Sequence, residues 1–550
     1  MIRYSGKAVA EAEITAVPKC PFEEAWSDEF KGTVPDPVSG PAKTDLTLER
    51  LRERPLGSRV HEWVTVHHIF SQGKCREKDG CLGRGPQTGT REEAKMGRRF
   101  SIVDTLVYLL AIASLGLGAP GCSGQQNVSP VLVVISVDGL RPDYVTAADT
   151  HGAQIPNLRR LMKEGTYAEG VTGVVPTVTY PSHTTLMTGV APATHGIWAN
   201  TTFDPLQKNY QGWYWYAEDI HVPTLWDAAI NAGRTTAAIQ WPVTVGANIT
   251  WNIPEVWRAG TPEDAKLIRA LSTRGLLEEA AADVGAYRGG IDTSPEGDEV
   301  RGKYAEWILE KKKPRLLVLH LTALDHIEHE TSPLSEESVA VLERIDAAIG
   351  KVRAAAEHLA PGRSFFAVVS DHGFVKYDQQ LNLVSAFREA KLLTTNEKGN
   401  ILDWQAIPWE TGGSAAIVLK DPNDREVLTK TRDLLEKLAA DPANGIDRVL
   451  EAEALHARGG YPNASFFVSL KPGWRTGTAI TGPLVAKVKP GGTHGEMPDL
   501  PELRAALFLV GPGVPAGRNL GVIDMRDIAP TLAKEAGLRL PNAEGKALLP

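Results

Sequence analysis

Beyond Cys122 the chain contains no cysteine; Cys20, Cys75, Cys81 and Cys122 all lie in the first quarter. Residues 123–550 therefore hold no disulfide, no thiolate metal site and no cysteine nucleophile. A disulfide-stapled secreted domain is excluded, whereas an exported bacterial protein is not. An excess of positive charge is also lacking. The formal net charge is −8 over 550 residues, so no dominant nucleic-acid-binding face is expected. No low-complexity tract and no clear internal repeat stands out. The mostly apolar run from Ile102 to Leu117 is short for a membrane-spanning helix and carries Asp104.

What is present is an ordinary globular composition, 42% hydrophobic and 23% charged, with length for a large core or several domains. Residues 1–95 are rich in charge, proline and glycine and show little periodicity. They are expected to be a disordered extension, or upstream sequence ahead of a true start at Met96. Residues 96–122, MGRRFSIVDTLVYLLAIASLGLGAPGC, have the three regions of a secretory signal peptide: Arg98 and Arg99, an apolar stretch, then small residues. The expected destination is the periplasm or the extracellular space. Cys122 after Gly121 is a candidate for lipidation and membrane attachment, although Ala119 and Pro120 fit that signal poorly.

From residue 131 the pattern is α/β. VLVVISVDG (131–139), RLLVLHLTALD (315–325), SFFAVVSDHG (364–373) and ALFLVGPG (506–513) are apolar runs suited to strands buried on both faces. Between them lie helical patterns, the clearest over 335–359, with an approximate capping box at Ser335. The expectation is a mostly parallel sheet sandwiched by helices, with a smaller inserted cap region near 376–475. Ligands bind such sheets at the carboxyl ends of the strands. Three of the runs end in aspartate there: Asp138, Asp325 and Asp371. A single such aspartate is most often a helix cap, but three on one edge repel one another and call for a cation. His372 follows Asp371, His329 lies four residues after Asp325, and GGTHGE brings His494 in a loop without apolar neighbours. These six nitrogen and oxygen ligands divide into two groups of three, which suits two zinc ions with open positions. Two metals about 4 Å apart clamp the attacking and leaving oxygens of a phosphoryl transfer.

With these residues in order, the chain resembles the alkaline phosphatase superfamily, and within it the nucleotide pyrophosphatases/phosphodiesterases, over roughly residues 130–550. The resemblance is carried by VISVDGLRPDY, by PTVTYPSHTTLMTGVAPATHGIWAN, by the Asp325/His329 pair, by SDHG, by THG at 493–495 and by MRDIAPTLAKEAGL at 525–538. It implies one metal on Asp138, Asp371 and His372 and a second on Asp325, His329 and His494. It makes Thr179 the nucleophile, bridging toward the first metal, and implies a phosphothreonine intermediate that water then hydrolyses. Asn200 would donate to a non-bridging phosphoryl oxygen, with the backbone N–H after the nucleophile as a second donor. Pro176 and Pro181 stiffen the loop around Thr179. A helix starting near Ser182 would face the phosphate, with Ser182 as its cap. Tyr180 is either a core residue or a contact for the leaving group. His183 and His195 read as supporting or packing residues, not ligands.

Two departures stand out. Nucleotide-cleaving members carry tyrosine five residues before the second metal's aspartate; here that position is His320, taken as a candidate substrate contact. The usual glycine before the ligand histidine is Glu328. The Trp-rich stretch 238–255 reads as a strand-and-loop insert, with Trp241 and Trp251 in the pocket wall or the core. The expected function is an exported two-zinc phosphodiesterase or nucleotide pyrophosphatase acting on a small phosphate ester or pyrophosphate. Phosphonoacetate hydrolase-like and phosphomonoesterase activities are the alternatives on the same site; a non-catalytic envelope lipoprotein is a remote one. Peptide mapping of the exported protein is expected to find nothing from residues 1–95; recovery of those peptides would contradict the start at Met96.

Overall fold

The computed structural model describes residues 129–550, except 210–211, 258–260 and 288–291. The expected N-terminal extension, signal peptide and Cys122 lie outside the described residues. At the centre is an eight-stranded sheet. In chain order its strands are β1 (Val131–Val137), β2 (Thr166–Tyr167), β3 (Thr236–Ile239), β4 (Trp251–Ile253), β5 (Leu316–Leu321), β6 (Ser364–Val369), β7 (Leu507–Val510) and β8 (Arg518–Asn519). In space the order is β8-β2-β7-β6-β1-β5-β3-β4. β1 pairs in parallel with β5 and β6, and β3 with β4 and β5.

Successive β1 residues are buried on opposite faces, as the pleat requires. Val131, Val133, Ile135 and Val137 join one hydrophobic cluster, Leu132 and Val134 the other. Each such side chain contributes roughly 1.5–3 kcal/mol by leaving water. The first face is covered by α2 (Pro295–Lys311) and α4 (Glu336–Leu359), the second by α1 (Thr179–Thr188) and α5 (Ile528–Glu535). Ser335 caps α4 by accepting a hydrogen bond from Ser338 N at 3.1 Å.

Four expectations need correction. The run 506–513 forms β7, which is antiparallel to both β6 and β2, so it brings no residue to the ligand edge. The stretch 238–255 is not an insert: its ends belong to β3 and β4, the parallel margin of the central sheet. The run 315–325 is a strand only to Leu321; α3 (Ala323–Glu330) follows at once. The pairing of the expected 376–475 cap region also runs past 475. Val375–Leu381 pairs with Gly473–Thr476 and with Val485–Thr493. A separate four-stranded sheet carries Ala406–Glu410, Ser414–Leu419, Phe466–Leu470 and Ile446–Glu451, packed on the helix Arg425–Ala440.

What starts α3 so abruptly is a carboxylate from another helix. Asp298 of α2, fully buried, accepts from Thr322 N and Ala323 N, each at 3.0 Å, and from the buried Arg301 guanidinium. It thereby satisfies two of the orphan N–H groups at the start of α3. Asp298→Ala strands a buried guanidinium and both N–H groups, and is expected to cost about 3–5 kcal/mol in urea unfolding. Asp298→Ala with Arg301→Met should cost less. A loss within about 0.5 kcal/mol, as at an unimportant surface position, would contradict this role.

Candidate active site

The parallel strands place their carboxyl ends on one edge. Asp138 follows β1, and Asp371 and His372 follow β6. Asp325 and His329 sit one turn apart on α3, and His494 follows the strand Val485–Thr493. His372 Nε2 lies 3.3 Å from Asp138 Oδ1 and 3.2 Å from Asp371 Oδ2. Asp325 Oδ1 lies 3.4 Å from His329 Nε2 and 3.7 Å from His494 Nε2. The rings of His372 and His494 stack at 3.7 Å. His494 is not without apolar neighbours, as Phe374 packs against it at 5.1 Å. Two compact triads result, Asp138–Asp371–His372 and Asp325–His372–His494, with ligand atoms within 4.8 Å of one another. His372 belongs to both, and His329 reaches the second group through Asp325.

The chemistry of these atoms fits a cation. Asp138 Oδ1, Asp325 Oδ1 and Asp371 Oδ2 are buried and have no hydrogen-bond partner. Asp138 Oδ2 does have one, His320, and so does Asp371 Oδ1, which accepts from Gly139 N at 3.2 Å. All three histidines direct Nδ1 at a backbone carbonyl: His329 at Gly492 (2.9 Å), His372 at Gly373 (3.2 Å) and His494 at Thr177 (2.9 Å). A proton held on Nδ1 leaves the Nε2 lone pair for a metal. Burial, then the charges of Asp371 and Asp325, push Asp138 well above the carboxylate range. Asp325 goes the other way: burial would raise it, but His329, His494 and His372 hold it well below.

Thr179 is the first residue of α1, and its Oγ1 lies 3.5 Å from His372 Nε2. The helix begins three residues earlier than expected, because Pro181 fits a first turn whose N–H groups have no helical partner anyway. Ser182 is therefore not a cap; its N donates to Val178 O at 3.2 Å inside the helix. The Tyr180 N–H, expected to serve a phosphoryl oxygen, donates instead to Asn200 Oδ1 at 2.9 Å. With Oδ1 engaged, Nδ2 is the donor that Asn200 has left to offer. His183 Nδ1 sits 2.9 Å from Thr179 O and 3.5 Å from Asp371 Oδ2, and burial, aided by His320, lowers its pKa to about 3. His195 is packed by Thr185 Oγ1 at 3.1 Å and Ile197 N at 3.1 Å.

Two expected substrate contacts lie elsewhere. Tyr180 is fully buried with Ile197 and Val243, its ring 5.2 Å from that of Trp213, so it sits in the core rather than facing a substrate. His320 is also fully buried, beneath the site rather than in it. Its Nε2 is 3.0 Å from Asp138 Oδ2, and its Nδ1 is 2.8 Å from Glu255 Oε2 and 3.1 Å from Gln240 O. Burial would lower its pKa, but the charge of Glu255 and its hydrogen bond raise it. The imidazole turns inward because two carboxylates face it there. Glu255 was invisible in the sequence, since nothing in its spacing reveals that β4 and β5 flank the same strand. Trp241 is core, whereas Trp251 is half-buried against the other cluster. Glu328 is buried, accepts from Tyr144 Oη at 2.7 Å and is pushed well above its usual range by burial. It fits because Gly139, at φ +75°, offers no Cβ; one there would meet Glu328 Oε2 at 2.7 Å.

A family model for type I phosphodiesterase/nucleotide pyrophosphatase matches residues 132–497. The chain belongs to this family. Ectonucleotide pyrophosphatase/phosphodiesterase family member 1 of Homo sapiens is 24% identical over 271 residues, 47% of this chain and 25% of that protein. Family member 5 of Homo sapiens is 33% identical over 146 residues, 25% of this chain and 28% of that protein. A bis(5′-adenosyl)-triphosphatase of Mus musculus is 32% identical over 130 residues, 22% of this chain and 26% of that protein. The chain thus spans about a quarter of the length of these relatives. Among solved structures, an inactive variant of murine family member 5 in complex with AMP superposes with a TM-score of 0.54 at 20% identity, covering 76% of this chain and 97% of that one. Human family member 5 gives 0.54 at 19% over the same shares. These likenesses show the fold expected of a phosphodiesterase/nucleotide pyrophosphatase family member, a mostly parallel sheet flanked by helices.

Proposed function

We propose that this family member is an exported two-zinc phosphodiesterase/nucleotide pyrophosphatase that works through a phosphothreonine on Thr179. One observation carries the reading: three partnerless aspartate oxygens and three Nε2-presenting histidines converge beside a threonine hydroxyl at a helix N-terminus. The all-nitrogen-and-oxygen donor set with three histidines suits zinc. Asp138, Asp371 and His372 would hold one ion, and Asp325, His329 and His494 the other. When bound, the ions supply Lewis acidity that lowers the threonine hydroxyl pKa and stabilises the leaving oxygen.

The chain's own residues do the rest. Thr179 Oγ1 attacks phosphorus in line with the leaving group, and water later hydrolyses the phosphothreonine. The start of α1 orients its positive end toward the phosphoryl group. Asn200 Nδ2 donates to a non-bridging oxygen, and its own Oδ1 is anchored by Tyr180 N, which keeps the amide from rotating. The substrate class is a small phosphate diester or pyrophosphate. Residues 96–122 would be the export signal, with Cys122 as the candidate lipid attachment.

The zinc-loaded protein is expected to turn over bis-p-nitrophenyl phosphate faster than p-nitrophenyl phosphate. Thr179→Ala should lower that rate at least about a thousand-fold while leaving metal content nearly unchanged. Wild-type turnover by Thr179→Ala would refute the nucleophile. Inactivity of the zinc-loaded protein on every phosphate ester, phosphonate and pyrophosphate would refute the enzyme reading.

A further inference from the structure

Five adjacent strands, in the spatial order β6-β1-β5-β3-β4, end in a continuous row of polar groups. Asp371 follows β6, Asp138 follows β1, His320 lies near the end of β5, Gln240 follows β3 and Glu255 follows β4. Part of the row, from Glu255 through His320 to Asp138, is continuously hydrogen-bonded. Trp257 Nε1 donates to Glu255 Oε1 at 2.8 Å, and His320 spans Glu255 Oε2 at 2.8 Å and Asp138 Oδ2 at 3.0 Å. Glu255 and His320 are fully buried.

We infer that His320, clamped by Glu255, is a positioning residue for the Asp138 metal ligand; this rests on the metal-site reading above. A carboxylate has two equivalent oxygens and can rotate between them. By donating to Oδ2, His320 removes that freedom and leaves Oδ1 alone to face Asp371 and His372. Glu255 and the Gln240 carbonyl do the same for the imidazole, fixing its plane from the far side. The backbone that delivers this carbonyl is itself unusual. Gln240 has φ +55° and Val243 φ +56°, a region unfavourable for side-chain-bearing residues that persists only where the surroundings impose it. The segment also places the Trp241 ring edge-on to His183 at 5.0 Å, and His183 packs on His320 at 4.3 Å. Support of this kind sets the orientation and basicity of metal ligands, and its loss weakens metal binding by about 10- to 100-fold.

The test is zinc binding by chelator competition on the full-length protein, followed by the visible spectrum after cobalt substitution. His320→Ala alone strands the buried Glu255 charge, so the informative variants are His320→Ala with Glu255→Gln, and Glu255→Gln by itself. The double variant should bind one of two ions about 10- to 100-fold more weakly and the other unchanged. Its cobalt spectrum should change for that ion only, with a smaller effect of the same kind in Glu255→Gln. Thermal unfolding of the metal-free proteins serves to separate this from a loss of fold, which would weaken both ions together. If the wild type binds two ions and both variants bind them with the same affinities and spectra, the positioning role is refuted. If the wild type itself binds no ion, the metal-site reading falls and this inference falls with it.

Discussion

Asp138 and Asp371 are buried side by side, with the partly buried Asp325 joined to them through His372, and the organisation of the edge follows from that constraint. Unpaired charges in a protein interior are costly, and like charges at this separation repel. Burial and its neighbours drive Asp138 well up, while three imidazoles drive Asp325 well down. The residues are held apart in character by what surrounds them, and each presents an oxygen that no protein donor satisfies. The proposed pair of divalent cations would resolve the repulsion and supply the missing partners at once.

The fold maintains that arrangement from several directions. The parallel strands bring Asp138 and Asp371 to adjacent positions, with Gly139 N bridging to Asp371 Oδ1. Asp298 starts α3 and so sets where Asp325 and His329 stand. The strand Val485–Thr493 leads into His494, which stacks on His372 and ties that strand to this edge. Thr179 is delivered by α1, whose first free N–H is closed by Asn200. The same contact that anchors Asn200 takes up the Tyr180 N–H, so in the proposed mechanism phosphoryl-oxygen stabilisation would fall to the Asn200 amide and the cations.

Much of this could be read from the chain because it is encoded locally. β1, β5 and β6 announce themselves as apolar, β-branched runs, and a terminal aspartate or Asp-His is visible beside them. The Asp325/His329 spacing already implies one helical turn. What escaped the sequence depends on which strands become neighbours. His320 looked like a substrate contact because its position along the chain matches a substrate-contacting tyrosine. Only the β5-β3-β4 adjacency shows that Glu255 draws its ring beneath Asp138 instead. The direction of β7 was likewise hidden, since an apolar run does not state its polarity. Ser182 was misplaced because a cap residue and a buried helical serine look alike when Pro181 permits the helix to start earlier.

The convergence of Asp138, Asp325, Asp371, His329, His372 and His494 on a pair of cations is the central claim. Anomalous diffraction at the zinc edge from crystals of the zinc-loaded protein addresses it most directly. Two peaks are predicted, one among Asp138 Oδ1, Asp371 Oδ2 and His372 Nε2, the other among Asp325 Oδ1, His329 Nε2 and His494 Nε2. Zinc bound away from these atoms, or no peak at all in protein shown to be folded and zinc-saturated, would contradict it.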